Sequence, residues 1–383
     1  MAERPFGSGV FKPGKGLTFE TKDKRFSVTL GIVSQFLYTV NDVRPRVKNA
    51  QNTSQSFEVR RARLILQGNV FSEHVKYYSH FQFSPRDLGY SNGSATITQS
   101  PVFLAFATFD RFKNLTLQVG QQWIPYSHQR TAPITKLQFV DFSLASAEFG
   151  LERDIGIDLL SKNFLGLDRL RYHVGVFMGE GTNYAKLSDL GMIYVGRVEY
   201  LPLGDFDDYP EVDFNRRLQP KLAISAGYAY NKGDRRNKAI NGAAFADGGT
   251  MDSHNATADV IFKMAGFSML GDFWFRYGTR KGGGVEDMTT GDDVPIERAR
   301  NGIGGTAQAG LLIPHAPVEI AGRYSGVRPI GDTSKVLELD EAGPGLSYYF
   351  AEHSVKLQLD YFHGWGANDV RTNRLRLQLT LTF

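Results

Sequence analysis

Arg374-Leu375-Arg376-Leu377-Gln378-Leu379-Thr380-Leu381-Thr382-Phe383 alternates polar and apolar residues without a break. Successive side chains of a β-strand point to opposite faces. As a strand, this stretch puts four leucines and a phenylalanine on one face and Arg374, Arg376, Gln378, Thr380 and Thr382 on the other. A helical period of 3.6 would scatter both sets. Working outward, the same ladder recurs from Phe26, with Val28, Leu30, Ile32, Phe36, Tyr38 and Val40 on one face. It recurs in Val75, Tyr77, Phe81 and Phe83 against His74, Lys76, Tyr78, His80 and Gln82. Leu170, Tyr172, Val174 and Val176 against Arg169, Arg171 and His173 form another, and Val355, Leu357, Leu359 and Tyr361 against Lys356, Gln358 and Asp360 a further one.

Sixteen such segments are legible, near 25–40, 57–70, 74–84, 101–110, 114–124, 152–161, 168–179, 191–201, 219–230, 254–265, 267–278, 302–312, 316–326, 343–351, 353–363 and 371–383. The connections alternate long and short. The exception is 202–218, a long connection in a short slot. An even strand count with alternating short turns and long loops is the pattern of a transmembrane antiparallel β-barrel. Barrels of about this size enclose an aqueous channel. The predicted fold is therefore an all-β, 16-stranded transmembrane barrel over 25–383, preceded by a periplasmic segment at 1–24.

Composition agrees. The 383 residues include 41 Gly and 28 Phe, and no stretch is apolar over the ~20 residues that a membrane helix needs. No Pro/Ser-rich linker or charge block divides the chain. Cysteine is absent, which excludes disulfides, thiolate metal sites and cysteine nucleophiles. A net charge of +4 is too mild to imply nucleic acid. Met1-Ala2-Glu3-Arg4 lacks the apolar run of a secretion signal, so the barrel reading expects a leader already removed.

The apolar set faces lipid, because the opposite set carries charge on almost every strand. A soluble barrel of this size would have to fill a wide interior with side chains. Alternation then places Arg61, Arg63, Lys76, Arg169, Arg171, Arg197, Lys221, Lys263, Arg276, Arg323, Lys356, Arg374 and Arg376 toward the lumen. It places Asp154, Asp158, Glu199, Asp259, Asp272, Glu319 and Asp360 there too, leaving a surplus of roughly six positive charges. A low-dielectric wall focuses such a field and concentrates anions. Strict alternation turns Arg60 away from Arg61, so a bulge or a loop edge is needed to bring both inward.

Phe57-Glu58-Val59-Arg60-Arg61-Ala62-Arg63-Leu64, with Gly68 and Lys76-Tyr77-Tyr78, resembles the phosphate-selective porin O/P family of bacterial outer membranes. So do Gly191-Met192-Ile193-Tyr194-Val195-Gly196-Arg197-Val198-Glu199-Tyr200 and Gly345-Leu346-Ser347-Tyr348-Tyr349-Phe350. Trp123-Ile124-Pro125-Tyr126-Ser127 and Glu152-Arg153-Asp154-Ile155-Gly156 look like that family's third loop and the strand after it. The resemblance implies a homotrimeric porin whose third loop, 125–151, folds inward as a constriction. It implies Arg and Lys along an anion path, with phosphate as the solute. Arg60, Arg61, Arg63 and Lys76 are the expected narrow path, completed by Arg130 and Lys136 of the loop. Phe383 looks like the recognition signal of the barrel assembly machinery, and lipid and lipopolysaccharide are the expected surroundings. No cofactor, reaction or metal is implied.

Other signals point elsewhere. Gly9-Val10-Phe11-Lys12-Pro13-Gly14-Lys15-Gly16 nearly matches a phosphate-binding loop but lacks Ser or Thr after the lysine. Asp205, Asp207, Asp208, Glu211 and Asp213 crowd the long turn. Such oxygen ligands suit calcium, but their spacing fits no twelve-residue calcium loop. The same turn carries a rival reading, a structural barrel that binds another envelope protein through it or through its loops.

Overall fold

The computed structural model describes residues 9–44, 52–89, 99–182 and 191–383. Sixteen strands close a barrel: β1 (Ser27–Arg44), β2 (Thr53–Val70), β3 (Ser72–Gln82), β4 (Val102–Phe112), β5 (Leu115–Trp123), β6 (Arg153–Ser161), β7 (Leu170–Phe177), β8 (Ile193–Tyr200), β9 (Lys221–Asp234), β10 (Thr250–Met264), β11 (Phe267–Lys281), β12 (Gly302–Leu312), β13 (Val318–Pro329), β14 (Leu339–Ala351), β15 (Val355–Gly366) and β16 (Arg371–Thr382). Each pairs antiparallel with its neighbour in sequence, and β16 pairs with β1 from Arg371↔Arg44 to Thr382↔Val33. Closure leaves no open edge, which the hydrocarbon layer requires because it offers backbone groups no partner.

Alternation sets the faces as expected. Ile32, Leu375, Leu377 and Phe383 are exposed on the outside, while Gln35, Gln378 and Thr380 are buried within. Several strands outrun the apolar pattern at the outer end. β1 reaches Arg44 and β2 begins at Thr53, where the ladders of hydrophobic residues end near 40 and 57. The reason is that backbone pairing continues past the lipid boundary, where Asn41, Asp42, Thr53 and Ser54 serve as well as leucines. The connection after β9 also holds a short strand, Arg236–Ala244, that the pattern does not announce.

The N-terminal segment is a hairpin over part of its length. Val10–Lys12 pairs with Gly16–Glu20, and Gly16–Glu20 pairs with Ser27–Leu30 of β1. It occupies the edge that β16 leaves below Val33, so the phosphate-loop-like stretch is simply the turn of this hairpin. Gly16 has φ +91°, and a Cβ there would fall 2.2 Å from the Leu30 carbonyl oxygen. No other residue fits that approach. A two-residue hairpin joins β10 to β11 through Ala265 and Gly266, both at positive φ (54° and 88°), as such turns between twisted strands demand.

The interior is not uniformly polar. Between β7 and β14 the inward side chains include Phe177, Ile193, Val195, Trp274 and Val327, packed with Ile124, Tyr126, Ala145, Phe149 and Leu151 of the third loop. One side of the lumen therefore contains a hydrophobic core, and the other side remains open.

Candidate functional site

Two long connections build this division. The first is 124–152, which carries α1 (His128–Thr131) and α2 (Leu144–Phe149). Ser143 caps α2, its hydroxyl accepting from the Ser146 N–H at 3.2 Å. At the other end, Arg276 of β11 donates to the Glu148 and Phe149 carbonyls at 3.1 and 3.0 Å. A cation there satisfies carbonyls that the last helical turn leaves unpaired. Farther along, Gln138 donates to Ser268 (3.0 Å) and Glu319 (2.6 Å), and the Val140 N–H to Asp360 (3.1 Å). Lys356 donates to the Leu137 carbonyl at 2.8 Å and Arg323 to the Asp141 carbonyl at 2.9 Å. The loop thus lies inside the barrel along β11 to β15.

The second is 201–220, the long connection in a short slot. Its acidic side chains do not form an open cluster. Asp208 accepts from Arg171 at 2.9 Å, and Asp213 accepts the Gly266 N–H at 2.9 Å, bracing the β10–β11 turn. Glu211 accepts the Gln138 N–H at 2.7 Å and a bond from Gln308 at 3.0 Å. Asp208, Glu211 and Asp213 are all buried. Lys221 and Lys263 donate to backbone carbonyls of the same segment. The segment turns up into the barrel and meets the third loop from below, with Tyr209 stacked on His128. The carboxylates of Asp205, Asp208, Glu211 and Asp213 are thereby taken up by side-chain and N–H donors of the protein itself.

What remains open is a cavity of about 1360 Å³ between the loop and the wall formed by β16 and β1 to β6. Twelve Lys and Arg side chains line it against eight Asp and Glu, a surplus of four among the described residues. Its centre is an arginine cluster. Arg61 donates to Gln35 at 2.7 Å and lies 3.8 Å from Asp141. Arg60 lies 3.6 Å from Asp87 and 3.7 Å from Asp141. Arg63 donates to Asp87 at 3.0 Å. Arg130 pairs with Glu152, Arg374 with Glu341, and Arg376 grips Asp360 through two bonds of 2.7 and 2.8 Å. Burial alone would raise the Asp141 carboxyl, but Arg61 and Arg60 beside it hold it below the usual range. Asp87 is likewise held down by Arg63, Arg61 and Arg60 against its burial. Both carboxylates stay charged, and guanidiniums still outnumber them.

Arg60 enters this cluster through a β-bulge. Gln35 pairs with Arg61 and Phe36 with Val59, so Arg60 is the extra residue. A second bulge sits across the wall. His80 pairs with Leu104 and Phe81 with Val102, so Phe103 is extra and also turns inward. The guanidinium carbons of Arg63 and Arg153 lie 3.8 and 3.7 Å from the Phe103 ring centre. At those distances one face cannot hold both, so the ring is clamped from its two sides.

The expected site residues thus separate into groups. Arg60, Arg61, Arg63, Lys76, Arg130, Lys136, Arg197, Arg374 and Arg376 line the cavity. Arg276, Arg323 and Lys356 point inward but are buried under the third loop, bonded to its carbonyls. Arg171 and Lys221 are bound by the 201–220 segment. Arg169 is exposed in the turn before β7. These six are not cavity-lining: alternation assigns a face but says nothing of the segments that cover five of them, and Arg169 lies just outside its strand. Arg86, Arg153 and Lys162 line the cavity without having been singled out. Arg153 opens β6 beside Asp154, so alternation turns it away from the lumen; Arg86 lies in the loop after β3 and Lys162 in the turn after β6.

A sequence model of the family described as "Phosphate-selective porin O and P" matches residues 30–261. The chain belongs to that family. This porin is an integral β-barrel of the outer membrane, and its family and fold are those of a channel. No curated protein sequence matches it. Among solved structures, the anion-selective porin from Comamonas acidovorans superposes with a TM-score of 0.60 at 12% identity, over 94% of this chain and 100% of that one. The outer membrane channel DcaP of Acinetobacter baumannii gives 0.59 at 13% identity, over 96% and 100%. OmpT, an outer membrane protein of Vibrio cholerae, gives 0.57 at 8% identity, over 93% and 98%. At these identities the likeness speaks for the fold alone.

Proposed function

We propose that this porin passes small anions by passive diffusion, favouring oxyanions of the phosphate class. The observation that carries the reading is the surplus of four positive charges around one open cavity. Its arginines are held in place by carboxylates but not neutralised by them. Guanidinium forks match phosphate and carboxylate oxygens, and a low-dielectric wall magnifies their field. The third loop, with Arg130 and Lys136, narrows the path from the opposite side. The solute's own gradient drives transport, and no cofactor takes part. The homotrimer is part of the same proposal, and native mass spectrometry of the detergent-extracted protein tests it. The rival reading, a partner docking on the loops or the 202–218 turn, finds only Asp205 and Asp207 exposed among the turn's carboxylates, since Asp208, Glu211 and Asp213 are buried.

The test is the reversal potential in a planar bilayer under a potassium chloride gradient, followed by phosphate titration. The expected result is anion preference and a current that phosphate reduces. Replacing Arg61 and Arg63 together by glutamine should lower the anion-to-cation permeability ratio by a factor of roughly three. A cation-preferring wild type, or an unchanged ratio in the double variant, would sink the proposal.

A further inference from the structure

Inward apolar side chains occur on both sides of this lumen, but only one side covers them. Between β7 and β15 they are packed under the third loop and the 201–220 segment. On the open wall, Ile65, Tyr78 and Phe106 face the cavity half-buried, with no described element packed over them. Register places them on the inner face. Tyr78 stands opposite Phe106, and Ile65 opposite His80. The Tyr78 and Phe106 rings stack at 5.1 Å with 18° between their planes. Just above them the bulged Phe103 is clamped between Arg63 and Arg153. Ile65 is one same-face step from Arg63, about 7 Å along the strand.

A water-filled path for a bare inorganic ion has no use for such a strip. Leaving apolar surface in water forgoes roughly 25 cal/mol per Å² of stabilisation, and polar inward residues would avoid that. The juxtaposition has one chemical complement: an anion at the guanidiniums, attached to an apolar body that lies on the ring faces. We infer that the open wall is a binding site for organic acids with an aromatic or other apolar body. The carboxylate sits at Arg60, Arg61 and Arg63, and the body on Tyr78, Phe106 and Ile65. The clamp on Phe103 fixes the junction of the two regions, and stacking of the solute's ring adds to the charge term. The inference rests on the anion-channel reading above and adds to it a second class of solute, held on the wall beside the arginines.

Benzoate, acetate and inorganic phosphate are the probes, added to the full-length protein in a planar bilayer. The concentration that halves the potassium chloride current is read for each. Benzoate is expected to block at about tenfold lower concentration than acetate, the ratio that ring stacking supplies. Phe106→Ser should bring the two close together, whereas Phe106→Leu should keep most of the difference. Heat-modifiable migration on electrophoresis checks that each variant is a folded barrel. Equal block by benzoate and acetate in the wild type would overturn the inference, and so would a benzoate advantage undiminished by Phe106→Ser. The reversal potential, taken on the same membranes, reads the net charge of the cavity and not the apolar strip. Anion preference without a benzoate advantage therefore defeats this inference only, and absence of anion preference defeats the anion reading beneath it.

Discussion

The two sides of the lumen use the same residue types for opposite purposes. Under the loops, the inward cations bond backbone carbonyls: Arg276 those of Glu148 and Phe149, Arg323 that of Asp141, Lys356 that of Leu137. On the open wall, the inward cations face carboxylates across the cavity edge and keep part of their field for solute. A buried guanidinium on carbonyls is a structural rivet, since leaving those oxygens unpaired in the interior is costly. An arginine in a wet cleft is a source of potential. Which role each takes is decided by loops that arrive from more than a hundred residues away, as Arg276 illustrates with its partners at 148 and 149.

The largest effect should come from pulling a rivet. Arg276→Met keeps length and apolar contact with Phe149 but leaves the end of α2 without its donor, costing on the order of 3 kcal/mol. The third loop should detach intermittently. Single-channel recordings should show larger, noisier conductance, and the barrel should unfold on gel at lower temperature. An unaltered trace would mean that the loop is held by its other bonds alone.

Next comes a contrast in selectivity. The Arg61 and Arg63 double neutralisation removes charge from the cavity, whereas Lys356→Met removes one charge from beneath the loop, where the side chain is wholly buried. The anion-to-cation ratio should move only in the first. A similar fall in Lys356→Met would erase the distinction between the two sides.

Acid provides a finer cut. Asp141 is held below the ordinary carboxylate value of 3.8, so it binds its proton only in stronger acid. The stability its pairing contributes is fully present above 3.8 and is lost as pH falls toward the depressed value. Asp141→Asn should raise the anion preference on the order of twofold, by removing one opposing charge. That factor should be the same at about pH 7 and pH 5, both above the range in which the carboxyl titrates. A wild type that converges on the variant at the lower pH would show that Asp141 titrates in the ordinary range.

The barrel was legible because lipid enforces period two on every strand. The ladder from Leu375 to Phe383 and its counterparts place all sixteen strands, and loop lengths order them. The site was legible only in outline. Arg60 betrayed its bulge, since two adjacent arginines beside a third conflict with strict alternation. Phe103 gave no such signal, because Val102-Phe103-Leu104 is apolar whichever residue is extra. The acidic run at 205–213 offered oxygen ligands without the spacing of a calcium loop, and a docking surface as a rival reading. Its partners Arg171, Gln138 and the Gly266 N–H lie on other elements, and nothing local in the sequence points to them.

The smallest effect tests how the two inserted segments depend on each other. They meet where the Glu211 N–H donates to the Lys136 carbonyl at 3.1 Å and the Glu211 carboxylate accepts from Gln138 at 2.7 Å. Glu211→Ala removes the second bond and the one from Gln308, but leaves the backbone contact and every bond between the third loop and the wall. If the loop is seated mainly by the wall, stability should fall by about 1–2 kcal/mol with mean conductance unchanged. Hydrogen exchange should then quicken at the Gln138 amide and stay slow at Ala145, whose N–H is held by Ser325. If exchange quickens along the whole loop, the 201–220 segment is its support from below. The covered side would then be one unit assembled from both ends of the barrel, not a loop laid on a wall.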